Sequence, residues 1–79
     1  MSMSRRYRVA VIKNDIQDLA DRLLEVASEQ REAFENLPES LQTGPQAESM
    51  EDLAYAMDEA HDDLDNVLGI LADIARPAE

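Results

Sequence analysis

Four groupings of side chains in this sequence have the types and spacing to do chemistry. Arg5-Arg6-Tyr7-Arg8 comes first, with Lys13 further along the same segment. Arginine forks match phosphate oxygens, and a tyrosine ring stacks on a base. Two carboxylate pairs follow, Glu32-x-x-Glu35 and Glu59-x-x-Asp62. Such pairs hold Mg²⁺ when they converge on one point, because the ion wants several oxygens around it. Asp58-x-x-His61 stands beside Asp62, Asp63 and Asp65. Inward carboxylate–histidine pairs of that spacing hold two irons in helical bundles. The last is a lone glutamine, Gln30, in an otherwise apolar line.

What these groups can do depends on the elements that carry them. Val9, Ile12, Ile16, Leu19, Leu23, Val26, Gln30, Ala33 and Leu37 keep a 3-4 spacing. Met50, Leu53, Met57, Ala60, Leu64, Val67, Leu71 and Ile74 do the same after a Pro/Gly-bearing break. A 3.5-residue repeat predicts two helices wound together. Helix 1 is expected over about 5–37, a connector over 38–45 and helix 2 over about 46–75, all within one domain spanning 1–79. Pro38 disfavours helix at Leu37. Gly44-Pro45 suits an N-cap and first helical position, and Ser49 with Asp52 offers a later start. Pro77 stops helix 2, Met1–Ser4 reads as a frayed end, and Leu41 is expected to tuck over the corner. A competing reading makes residues 6–12 a strand, with Asn14 and Gln17 capping a shorter helix. The unbroken repeat through Val9 and Ile12 favours the long helix.

A short connector makes the pair antiparallel. Second apolar lines flank both seams: Ala20, Leu24, Ala27 and Phe34 on helix 1, and Ala54, Leu68, Ile70 and Ala75 on helix 2. A lone hairpin needs one stripe per helix, so the extra width predicts self-association into a four-helix bundle, a dimer above all. Ile16, Leu19, Leu23, Leu24, Gln30, Leu64, Leu68 and Leu71 are the expected oligomer interface. Size argues the same way. A chain of 79 residues without cysteine has neither a large core nor a disulfide to staple it.

This register disposes of most of the metal chemistry. It turns Glu32, Glu35, Glu59 and Asp62 outward and leaves His61 beside the seam as a hydrogen-bonded boundary residue. The acid run lacks the glycine and spacing of a calcium loop. No metal or cofactor is expected, and no catalytic residue. Gln30 reads as a register-setting polar group, paired with its own copy or with His61.

Charge carries the remaining signal. The net charge is −11, which disfavours direct nucleic-acid binding. Residues 1–13 hold four basic side chains and no acid, whereas residues 14–79 hold three basic groups against eighteen acids. In the antiparallel pair Arg76 joins Arg5, Arg6, Arg8 and Lys13 at one end. With Tyr7 they form a basic pole for a phosphorylated small molecule. The acidic remainder offers a second expectation, an imitation of DNA phosphates toward a basic host protein. No apolar run approaches the ~20 residues of a membrane span, and a cytoplasmic location is expected.

Two resemblances add to this. The spaced carboxylate pairs resemble the magnesium motif of all-α nucleoside triphosphate pyrophosphatases, which implies a metal-dependent nucleotide hydrolase; the outward register speaks against it. Glu29-Gln-Arg-Glu-Ala-Phe-Glu-Asn-Leu-Pro-Glu-Ser-Leu-Gln42, followed by Ala54, Ala56, Ala60 and Leu64, resembles small acidic proteins of bacteriophages and mobile elements with an "EAFxNLPESLQ"-like corner. That likeness implies a helical hairpin of phage or mobile-element origin and supplies no site residues. Together these expectations describe a non-catalytic binding protein, a host-defence antagonist that sequesters a nucleotide signal.

Overall fold

Ser4 closes the first helical turn: its hydroxyl accepts a hydrogen bond from the Tyr7 backbone N–H at 3.1 Å. The computed structural model describes residues 4–76, so the expectations for Met1–Met3 and Pro77 lie outside the described residues. Helix α1 runs Arg5–Glu35, a single 3₁₀ turn covers Glu39–Leu41, and helix α2 runs Pro45–Ala75. Residues 6–12 are helical, which answers the strand alternative. α1 ends at Glu35, where the Asn36 backbone N–H donates to the Glu32 carbonyl at 2.9 Å and the Leu37 N–H to the Phe34 carbonyl at 3.1 Å. Gly44 is the extended N-cap of α2 and Pro45 its first residue, where a missing N–H costs nothing.

The two helices pack along their length as a hairpin. The molecule is a rod with extents of 62 × 17 × 15 Å. Its seam keeps the 3-4 spacing but in a rotated phase. Ile16, Leu23, Gln30 and Leu37 on α1, and Met50, Met57, Leu64 and Leu71 on α2, are half-buried as the repeat requires. The alternate positions are one residue later than expected. Ala20 and Ala27 are 0% exposed, and Ala47, Ala54 and Leu68 complete the buried set. Ile12, Leu19, Val26, Leu53, Val67 and Ile74, assigned to the seam from sequence, are instead 40–53% exposed.

The physical reason is close approach. Alanine on the inner line lets the backbones come together along the rod, and bulky β-branched or leucine side chains there would hold them apart. The apolar pattern alone cannot choose between adjacent phases when both are apolar. His61 correspondingly sits in the seam rather than beside it. Leu41 is exposed and does not cover the corner; Gln42 does that instead, donating its side-chain amide to the Leu37 carbonyl at 2.9 Å.

Candidate functional site

The rotated phase leaves an apolar side on the hairpin. Ile12, Leu19, Val26 and Ala33 each precede a seam residue of α1, and Leu53, Ala60, Val67 and Ile74 precede one of α2. A two-fold axis normal to the plane of an antiparallel pair keeps front on front, so equivalent positions of the two repeats share a side. The opposite side obeys the same rule. There Arg31 and Asp58, each one residue after a seam position, form an ion pair across the helices. Gln17, Glu51 and Asp65 join them, so that side is mainly polar, with Leu24 among them. Near the corner it holds an open depression of about 220 Å³ that includes Phe34, Tyr55 and Glu51.

The basic residues gather at the end away from the connector. Arg5, Arg6, Tyr7 and Arg8 form the exposed first turn of α1, with Tyr7 55% exposed. Lys13 is half-buried and continues the seam line one turn beyond Ile16, a placement the expected phase did not give. Arg76 caps α2 at the same end, and its guanidinium donates to Asp73 at 3.3 Å. Among the described residues the ion pairs are Arg31–Asp58, His61–Asp65 and Arg76–Asp73, so Arg5, Arg6, Arg8 and Lys13 have no acid partner there. The first turn of α1 contains no acid. Cations at a helix N-terminus oppose the macrodipole, and an anion at that end relieves both.

Among the described residues the two carboxylate pairs of the sequence do not converge on one point. Glu32, Glu35, Glu59 and Asp62 are all exposed. His61 turns to Asp65, not to Asp58, with Nδ1 at 3.7 Å from a carboxylate oxygen. One ligand atom each from His61, Asp62 and Asp65 lie within 4.8 Å of one another, all on one turn of α2. The i,i+4 spacing of His61 and Asp65 is legible in the sequence and puts the two side chains on one face of α2. Gln30 finds a partner within the chain: its amide donates to the Met50 carbonyl at 3.2 Å, replacing the expected pairing with another copy or with His61.

No protein-family model, curated protein or solved structure matches the chain. No helix among the described residues is long and apolar enough to cross a membrane.

Proposed function

We propose that this chain is a non-catalytic binding protein which captures a phosphorylated small molecule of the nucleotide class at the basic pole of a self-associated hairpin. One observation carries the reading: Arg5, Arg6, Arg8 and Lys13 crowd the positive end of α1 without an acid partner among the described residues. Crowded cations at that position are unfavourable in the free protein. Phosphate oxygens would offset the repulsion, accept the arginine forks and cap free N–H groups of the first turn. The exposed Tyr7 ring supplies a stacking surface for a base.

The acidic body then acts as a filter. With eighteen acids in the chain, anions are repelled from most of the surface and drawn only to the pole. Thermal melting against a panel of mono- and dinucleotides tests the proposal. A binder should raise the melting temperature, and Arg6→Ala or Tyr7→Ala should remove the shift. If no compound raises it, the reading fails. A second reading rests on the exposed carboxylates Glu59, Asp62, Asp63 and Asp65 along α2. There the acidic face occupies a basic site on a host protein, and capture from lysate would be abolished at high salt.

A further inference from the structure

We infer that the apolar side of the hairpin is the interface for a second copy of this chain, packed so that α1 of each copy lies against α2 of the other and both basic poles share one end. The inference rests on the self-association in the proposed reading and names its face, its geometry and the charged pair that sets it.

Surface area gives the scale. The chain exposes 6223 Å², whereas a compact monomer of 8.9 kDa exposes about 4800 Å² by size scaling. The excess is of the order that one partner contributes to a standard-size protein interface, roughly 800 Å² or more. Among the described residues only five are buried, four of them alanine, so the single hairpin has little core of its own.

The shape of the apolar side selects a second copy as occupant. Arg31–Asp58 and Gln30–Met50 bracket the register of the two helices between them. Midway between these ties, at about 1.5 Å per residue, Ala33 stands within about one helical turn of Leu53 in height, Val26 of Ala60 and Leu19 of Val67. A two-fold axis along the rod preserves these heights and lays α1 on α2 of the second copy. Each alanine of one copy then faces a bulky side chain of the other.

Charge selects the same arrangement. On the outer edge of α2, Ala56 and Ile70 widen the apolar side, and Asp63 is the one acid between them at that spacing. The matching edge row on α1 holds Asp15, Arg22 and Glu29, of which Asp15 and Glu29 fall opposite Ile70 and Ala56; Arg22 lies within about one helical turn of Asp63 in height. Both are exposed and neither has an ion-pair partner among the described residues. Within one hairpin they are on opposite edges of the side. In the two-fold arrangement Arg22 of each copy meets Asp63 of the other, twice per dimer. A two-fold axis across the rod instead lays α1 on α1 and α2 on α2, separates the poles and leaves Asp63 without a basic partner, because its row on α2 holds no base. Along the rod, the two poles become one site to which both copies contribute arginines and Tyr7.

Sedimentation equilibrium of the full chain tests this, with circular dichroism reporting helix content. The wild type should be a dimer at micromolar concentration. Leu19→Lys should weaken it by at least about tenfold, because a lysine would be buried against apolar neighbours, whereas Leu24→Lys on the polar side should leave it intact. If Leu19→Lys also loses helix, the exposed charge pair decides. Arg22→Asp and Asp63→Arg should each weaken the dimer about tenfold, and the double exchange should restore it. A dimer broken by Leu24→Lys and untouched by Leu19→Lys overturns the assigned face while leaving self-association standing. A Leu19-sensitive dimer with no rescue by the double exchange overturns the arrangement. A folded wild-type monomer overturns both this inference and the self-association it rests on.

Discussion

Individual side chains in this hairpin have separable jobs, and several can be checked one at a time. Gly69 lies mid-helix in α2 with nothing within 4 Å of where a Cβ would be. It therefore carries the entropic cost of glycine with no packing return. Gly69→Ala should stabilise the protein by about 0.5–1 kcal/mol, read as a melting-temperature rise of a few degrees. Gln30 ties its amide to the Met50 carbonyl, a group within α2. Gln30→Leu replaces one modest hydrogen bond with apolar burial in a half-buried position, and should raise stability by about 1 kcal/mol with the fold unchanged. Ser4→Ala removes the hydroxyl that receives the Tyr7 N–H and should cost about 1 kcal/mol. Its effect on any ligand at the pole should exceed its effect on stability, because it loosens the turn that presents Arg5, Arg6 and Tyr7.

Helix-scale behaviour turns on alanine. The 3-4 repeat, the Pro38 stop and the Gly44-Pro45 start were readable from residue types alone, because each acts through local backbone chemistry. The phase of the seam was not. Leu19 against Ala20, and Val26 against Ala27, are both apolar choices, and hydrophobicity favours the larger side chain. Packing reverses that preference, since two helices gain more by approaching over alanine than by interposing leucine. The same reasoning hid the half-buried place of Lys13 and the seam position of His61. It also exchanged the two apolar lines, since the residues assigned inward form the outward side and Ala20 and Ala27, read as flanking, lie in the seam. Ala27→Leu should therefore destabilise by about 1–3 kcal/mol through overpacking, measured by chemical denaturation. A leucine tolerated there without loss would show that the helices do not meet at Ala27.

Across the whole molecule, charge opposes compactness. A net charge of −11 on 79 residues gives self-repulsion that salt screens within about 10 Å at 0.1 M. Melting temperature should rise between 10 and 300 mM sodium chloride by several degrees, an outcome scanning calorimetry reads directly. Ligand affinity at the pole should move the opposite way, falling over the same range, since it depends on arginine–phosphate attraction.

Both polar ties between the helices, Gln30 to Met50 and Arg31 to Asp58, fall in the half nearer the corner. Toward Arg5 and Ala75, no side-chain hydrogen bond or ion pair ties one helix to the other among the described residues. The hairpin is hinged at one end and unlatched at the other. Amide hydrogen exchange should accordingly be fastest around the arginines and slow progressively toward Ala27 and Ala54, so the end that would grip a guest is also the end that opens first.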